Sequence, residues 1–213
     1  MTEGVAIYGG TFDPIHNGHI RSAIELNKLL GVKVKMIPSY LPPHRSLPSS
    51  NSDHRLKMLR LAIANIDGLE IDARELDREG TSYTIDTLAS FRKEYGAHVP
   101  IYWIMGIDAY LLLHEWYEWQ GLTDYANLIV IERPDFEDQL PKLEVQVWAK
   151  DKQVESLAEL SKSEFGSLCH IKLPQVDISA TMIRNALQHN QSVEGLLPNP
   201  VIEYIEQNGL YRT

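Results

Sequence analysis

Short apolar segments alternate with longer segments of helical periodicity along most of the chain, and this alternation constrains the fold more than any other feature. The segments that predict strands are residues 5–8, 32–37, 69–73, 100–105 and 128–131. Between most of them, apolar residues recur three or four positions apart, as they do on one face of an α-helix. Strands that alternate with helices favour right-handed crossovers. The sequence therefore predicts an α/β fold with a doubly wound, mostly parallel sheet.

Length and composition bound the number of domains. The chain has 213 residues, of which 44% are hydrophobic and 23% are charged, which is ordinary for a globular protein. We expect a single domain over residues 1–213, with a helical C-terminal part at about residues 179–213.

Charge, cysteine content and hydropathy exclude several classes of protein. The formal net charge is −9 and no run of Lys or Arg is present, which argues against a protein that grips nucleic acid. Cys169 is the only cysteine, so no intrachain disulfide can form. No apolar stretch approaches the roughly 18 residues of a membrane span, and the first residues do not resemble a secretory signal. We expect a cytoplasmic protein with small-molecule partners and no nucleic-acid or membrane partner; a homo-oligomer stays open.

The ends of the predicted strands locate the ligand site. In doubly wound sheets, ligands bind in the crevice at the carboxyl ends of the strands. Those ends carry Gly9 and Gly10, the loop at 38–44, the segment 106–108 and Arg133. We expect these segments to converge on one site.

The segment 9–19, GGTFDPIHNGH, places two glycines after a strand and two histidines at the start of a helix. Glycines let the backbone approach a bulky anion, and a helix N-terminus offers N–H groups and the positive end of its dipole. His16 and His19 are three apart, so both imidazoles could donate to phosphate oxygens from one face. The alternatives are a tight turn with surface histidines, or a metal site, for which no third ligand has a suitable spacing.

A second motif, SATMIR at 179–184, opens another helical run. Ser179 is a natural N-cap residue. Thr181 and Arg184 lie three apart on one face, so a hydroxyl and a guanidinium point together beside a helix N-terminus. This arrangement suits the outer phosphates of a triphosphate. The alternative is an ordinary capped helix with an exposed arginine.

Together the two motifs resemble the nucleotidyltransferase superfamily that is built on H-x-G-H, and imply its Rossmann-like fold. More closely, the chain resembles the bacterial nicotinate-nucleotide adenylyltransferase family over nearly its whole length. The narrower similarity rests on Pro42-Pro43-His44-Arg45, Ser82-Tyr83-Thr84, Gly106-Ile107-Asp108, Trp116-Tyr117, Arg133-Pro134 and the segment 196–211.

The resemblance implies transfer of the adenylyl group of ATP, which enters with Mg²⁺, to nicotinate mononucleotide. The implied catalytic residues are His16, His19 and Arg184. The implied ATP-binding residues are these three with Gly9, Gly10, Thr11, Phe12, Gly106, Asp108, Ser179 and Thr181. The implied mononucleotide-binding residues are His44, Arg45, Tyr83, Thr84, Trp116, Tyr117 and Arg133, and the resemblance implies no protein-bound metal.

Two of the implied acceptor residues also have a direct physical interpretation. Thr84 stands where a helix begins, so first-turn N–H groups and its hydroxyl could bind a substrate carboxylate. Trp116 offers an aromatic face to a cationic pyridinium ring, on which the family's tryptophan stacks. The alternative for the sequence WYEW at 116–119 is a core aromatic cluster. Two other functions stay open: a phosphopantetheine adenylyltransferase-like enzyme, and a non-catalytic nucleotide-binding module.

Overall fold

The computed structural model describes residues 4–40, 47–78, 81–133, 136–174 and 177–212. His44 and Arg45, which the resemblance assigns to the mononucleotide, lie outside these residues. The strands are β1 (Val5–Gly10), β2 (Lys33–Pro38), β3 (Leu69–Ile71), β4 (Ile101–Gly106), β5 (Asn127–Ile131), β6 (Gln153–Val154) and β7 (Leu168–Ile171). The α-helices are α1 (Asn17–Leu30), α2 (Ser52–Ile63), α3 (Thr84–Tyr95), α4 (Ile107–Leu111), α5 (Leu143–Ala149), α6 (Leu157–Leu160), α7 (Ala180–Gln188) and α8 (Asn199–Gln207).

The strands form one sheet in the order β3-β2-β1-β4-β5-β7-β6, and each pair of neighbouring strands is parallel. The predicted α/β fold with a parallel, doubly wound sheet is therefore confirmed. The order reverses beside β1, because β2 lies on one side of it and β4 on the other. The loops that leave β1 and β4 run to opposite faces of the sheet, and the gap between them is where such folds bind ligands.

Alternate residues of the central strands contribute side chains to two separate cores, one on each face of the sheet. On β1, Ala6 and Tyr8 pack into the core that also contains residues of α1, α2, α7 and α8, whereas Val5 and Ile7 pack with α3 and α4 on the other face. Successive side chains of a strand point to opposite faces, so a strand that is buried on both faces is apolar throughout. This explains the uninterrupted apolar segments in the sequence.

The C-terminal part contains α7 and α8, as predicted, and both pack on the first of these cores. The segment 141–166, which carries no sharp signal in the sequence, contains α5, β6 and α6, and is followed by β7. Strand β3 ends at Ile71 and not at Ala73, because the Asp72 carboxylate accepts a hydrogen bond from the Arg74 N–H and starts a turn.

Among the helices of the described ranges, none is long and apolar enough to cross a bilayer.

Candidate active site

A cavity of about 400 Å³ opens at the carboxyl ends of the central strands. It is lined by sixteen of the residues that the sequence singles out: Gly9, Gly10, Thr11, Phe12, His16, His19, Tyr83, Thr84, Gly106, Asp108, Trp116, Tyr117, Arg133, Ser179, Thr181 and Arg184. Residues that are far apart in the sequence thus meet at one place. The structure brings together every predicted site residue that it describes.

The loop after β1 approaches its neighbours too closely for side chains at two positions. A Cβ atom at Gly9 would lie 2.5 Å from the Trp103 ring, and one at Gly10 would lie 2.9 Å from the Phe12 ring. Phe12 itself is buried with a positive φ of 49°. Its ring and the His19 ring pack edge to face, with their centroids 5.1 Å apart. The glycines therefore leave bare backbone along the cavity wall, which suits an anion that binds close to the main chain.

His16 is the N-cap residue of α1 and lies outside the helix. Its Nδ1 accepts a hydrogen bond of 3.4 Å from the His19 N–H, and the two imidazole rings stack with their centroids 3.6 Å apart. The expectation that both histidines belong to the first helical turn is therefore corrected for His16. Since Nδ1 is the acceptor, the remaining ring proton belongs on Nε2, which leaves one donor available to a ligand.

The protonation state of His16 follows from its surroundings. The residue is only 3% exposed. Burial, together with the positive charge of Arg133, lowers the pKa of His16 to about 4. The imidazole is consequently neutral near pH 7, so it can act as a hydrogen-bond donor without carrying a charge.

Ser179 caps α7, as the sequence predicts, because its hydroxyl accepts a hydrogen bond of 3.2 Å from the Met182 N–H. Arg184 Nη2 donates to the Thr181 hydroxyl at 3.2 Å, so the two side chains do share a face. Arg184 Nη1 also donates to the Asp13 carbonyl oxygen at 2.7 Å. The second motif is thereby held against the first, across 171 residues of sequence.

Two polar residues to which the sequence assigns no role hold the loops that follow β1 and β2. Arg55 of α2 is 1% exposed, and its Nη1 donates hydrogen bonds of 2.7 Å to the carbonyl oxygens of Thr11 and Ser39. The Tyr211 hydroxyl donates to Asp13 Oδ1 at 2.7 Å, and the Ser49 N–H donates to Asp13 Oδ2 at 2.7 Å. Burial and the Asp13 carboxylate raise the pKa of Tyr211, so its hydroxyl keeps the proton that it donates. Arg55 belongs to no motif in the sequence, and Tyr211 is marked there only as the end of the segment 196–211 that carries the family similarity.

The other end of the cavity combines a helix N-terminus with aromatic rings. Helix α3 begins at Thr84, and among the described residues no side chain caps it with a hydrogen bond. The Tyr83 and Tyr117 rings lie 4.7 Å apart, and Tyr117 is 52% exposed. First-turn N–H groups are therefore available to an anion beside an aromatic surface.

The WYEW segment contacts both the cavity and the core. Trp116 and Tyr117 line the cavity, while Trp116 and Trp119 are both partly buried against the core that contains α3 and α4. Trp119 also packs edge-on against Trp148 with the ring centroids 5.2 Å apart. Trp116 therefore combines both of the alternatives for this segment.

Asp108 and Arg133 connect the sides of the cavity. Asp108 lies in α4, directly after the end of β4, and its Oδ1 is 3.9 Å from Arg133 Nη1. Both side chains are more than a third exposed, so solvent weakens the attraction between them. Within the described ranges, no group of three or more His, Cys, Asp or Glu side chains could hold a metal ion.

Known proteins are similar to this chain over most of its length. A family model described as cytidylyltransferase-like matches residues 7–186. A protein of Serratia proteamaculans named probable nicotinate-nucleotide adenylyltransferase is 44% identical over 208 residues, which cover 97% of this chain and 94% of the relative. A Shigella boydii protein of the same name is 42% identical, with 97% and 98% of the two chains covered.

Solved structures show the same fold at lower identity. Plasmodium falciparum nicotinic acid mononucleotide adenylyltransferase complexed with NaAD matches with a TM-score of 0.72 and 21% identity, and 98% of this chain and 97% of that chain are covered. A putative nicotinate-nucleotide adenylyltransferase from Vibrio parahaemolyticus matches with a TM-score of 0.65 and 17% identity, with 99% and 96% covered.

Proposed function

The chain belongs to the cytidylyltransferase-like family and, within it, to the nicotinate-nucleotide adenylyltransferases, and from this we propose that it transfers the adenylyl group of ATP to nicotinate mononucleotide. The products are nicotinate adenine dinucleotide and pyrophosphate, in a step of NAD biosynthesis. One observation carries the proposal: a single cavity joins both phosphate-binding motifs to a helix N-terminus and an aromatic pair.

The reaction proceeds without a covalent intermediate on the protein. A phosphate oxygen of nicotinate mononucleotide attacks the α-phosphorus of ATP in line, the new P–O bond forms, and the bond from the α-phosphorus to the bridging oxygen breaks to release pyrophosphate. A phosphate monoester has a second pKa of about 6, so its oxygen is already a nucleophile near pH 7. Catalysis then consists of positioning and of neutralising the charge of the triphosphate.

The triphosphate lies between the two motifs in this proposal. His16 and His19 donate to the α- and β-phosphates, while Ser179, Thr181 and Arg184 contact the β- and γ-phosphates. The N-termini of α1 and α7 add the positive ends of their dipoles. The adenosine lies against Gly106, with the ribose hydroxyls near Asp108.

His16 is suited to this role because its Nδ1 is already engaged. The His19 N–H fixes the ring orientation, so the Nε2 proton can point towards a ligand without a search through rotamers. A bound triphosphate is negatively charged and would raise the pKa of His16 from about 4, which strengthens the donor when ATP is present.

The acceptor lies at the other end of the cavity. The nicotinate carboxylate takes N–H groups of the first turn of α3 with the Thr84 hydroxyl, and the pyridinium ring lies against Trp116 and Tyr117. Arg133 contributes positive charge towards the mononucleotide. A carboxamide carries no charge and gains less from the helix N-terminus, so the nicotinate form is the preferred acceptor.

Mg²⁺ enters as part of the ATP substrate. This ion usually keeps several waters and binds through substrate phosphates with few protein ligands. We therefore place it on the triphosphate, where it neutralises charge on the leaving pyrophosphate.

Pyrophosphate release from the purified protein tests the proposal. ATP and Mg²⁺ are supplied with nicotinate mononucleotide, nicotinamide mononucleotide or phosphopantetheine in parallel. His19→Ala serves as the inactive variant, and His98→Ala is a matched control, because His98 is exposed and does not line the cavity.

We expect release that favours the nicotinate form, that is lost in His19→Ala and that is kept in His98→Ala. Release only with phosphopantetheine would refute the proposed acceptor site and favour the second enzyme class. No release with any acceptor would favour a non-catalytic nucleotide-binding module.

A further inference from the structure

Glu75 is a buried carboxyl group in the wall of the cavity that no motif identifies. It is 5% exposed and lies in the turn that follows β3, yet it lines the same cavity as Tyr83 and Thr84. Burying a carboxyl group is costly unless hydrogen bonds compensate. Its partners therefore indicate what the carboxyl group does there.

Those partners flank the first turn of α3 on both sides. The Thr87 hydroxyl, itself fully buried, donates to Glu75 Oε1 at 2.7 Å and accepts a hydrogen bond from Arg78 Nη2. Burial raises the pKa of Glu75, while hydrogen bonds from Thr87 and Ser82 and the charge of Arg78 oppose this rise. The carboxyl group is thus held by residues on either side of Tyr83 and Thr84.

Ser82 extends the connection to the loop that follows β2. Its hydroxyl oxygen accepts a hydrogen bond of 3.2 Å from the Tyr40 N–H. Residues 81–83 form neither strand nor helix, so side-chain hydrogen bonds contribute to their position. A network centred on Glu75 therefore links three chain segments beneath the acceptor end of the cavity.

We propose that Glu75 is a positioning residue that fixes the segment Ser82–Thr84 and thereby determines affinity for the acceptor mononucleotide, an inference that rests on the proposed function. Glu75 acts through Thr87 and Ser82, whereas the ATP end of the cavity depends on contacts of Asp13 with Arg184 and Tyr211. The loss of Glu75 should consequently weaken the binding of the mononucleotide and leave the binding of ATP nearly unchanged.

Steady-state kinetics of three variants test this separation. Glu75→Leu removes the acceptor oxygen, Glu75→Gln keeps an oxygen for the Thr87 hydroxyl, and Thr87→Val removes the hydroxyl with little change in shape. Thr123→Val is the matched control, because Thr123 is also a buried threonine but its hydroxyl donates to the Gln120 carbonyl oxygen and not to Glu75.

We expect Glu75→Leu and Thr87→Val to raise the KM for nicotinate mononucleotide about tenfold and to leave the KM for ATP within about twofold. Glu75→Gln should restore most of the loss. Thr123→Val should change neither constant. If Glu75→Leu does not fold, Thr87→Val carries the test. An unchanged KM for the mononucleotide, or an equal rise for both substrates, would overturn the proposal.

Hydrogen exchange supplies a readout that does not depend on turnover. Amides in residues 82–87 should exchange faster in Glu75→Leu and in Thr87→Val than in the wild type, and Glu75→Gln should resemble the wild type. If the wild type shows no turnover with any acceptor, the proposed function fails, and exchange alone decides the positioning role. Unaltered exchange in Glu75→Leu and in Thr87→Val would refute it.

Discussion

The neutral, buried His16 makes the stability of this protein sensitive to acid in a way that one substitution should abolish. In the folded protein its pKa is about 4, against 6.5 for an unperturbed histidine. Between these two pH values the unfolded chain binds a proton that the folded chain does not bind, so the free energy of unfolding falls as the pH falls from 6.5 to 4. Above pH 6.5 both states are neutral at this residue, and its contribution is fully present.

The size of the effect follows from the difference between the two pKa values. Each pKa unit corresponds to about 1.4 kcal/mol, so the complete loss amounts to about 3 kcal/mol. Between pH 7 and pH 5 the linkage relation gives a loss of about 2 kcal/mol from His16 alone. This is a large share of the roughly 5–15 kcal/mol that stabilises a typical domain.

Urea unfolding at pH 7 and pH 5 measures this loss in the wild type and in His16→Asn. Asparagine is a good N-cap residue, so its side-chain oxygen can still accept the His19 N–H, but it does not titrate. His16→Asn should therefore lose about 2 kcal/mol less than the wild type between the two pH values. His98→Asn, an exposed control, should behave like the wild type.

Other groups contribute to acid sensitivity, but they are common to all three proteins. His170, whose pKa is also lowered by burial, adds to the loss in each of them and cancels in the comparison. Equal losses in the wild type and in His16→Asn would mean that His16 is not held neutral in the folded protein, and would refute the reasoning about its tautomer.

Three further experiments separate catalysis, acceptor binding and loop support. His19→Ala should lower kcat by roughly 10² with an unchanged circular dichroism spectrum, because a donor aimed at developing charge is lost; turnover near that of the wild type would contradict the role. Trp116→Ala should raise the KM for nicotinate mononucleotide, whereas Trp119→Ala should chiefly lower the melting temperature. The same kinetic effect in both variants would mean that Trp116 acts only by packing. Tyr211→Phe should lower the free energy of unfolding by about 1.5–3 kcal/mol in urea titrations and raise the KM for ATP, since Asp13 loses a buried donor; an unchanged KM for ATP would show that the loop does not need this bond.

The central part of the fold was predictable because segments typical of strands and of helices alternate in the sequence. Strands β1, β4 and β5 are buried on both faces, so they appear as continuous apolar segments between helical stripes, whereas β2 alternates Lys33 and Lys35 with the buried Val34 and Met36. The edge of the sheet beyond β5 was not predictable in the same way. Strand β6 has two residues and β7 has four, and such lengths carry too little periodicity for a pattern to emerge.

Some residues of the site were likewise predictable and others were not. The residues of H-x-G-H and S-x-T-x-x-R were predictable because each group lies within a few positions in the sequence, where helix geometry already relates them. The supporting contacts of Arg55, Glu75 and Tyr211 were not, because each of these contacts joins residues that are well separated in the sequence. Arg55 donates to a carbonyl oxygen 44 residues away, and such a contact leaves no periodic signal. In the sequence, Arg55 appears only as a single charged residue beside the apolar positions of a helix.

The hydrogen bond between Tyr211 and Asp13 joins residues that are 198 positions apart. During synthesis the chain emerges from its N-terminal end, so the loop at Asp13 is present long before its partner is made. A growing chain can therefore display both histidines and the glycine turn while the carboxylate beneath them lacks one of its buried donors. The fully supported loop at Asp13 is thus completed late in translation, and a chain interrupted before residue 211 would carry the motif without this hydrogen bond.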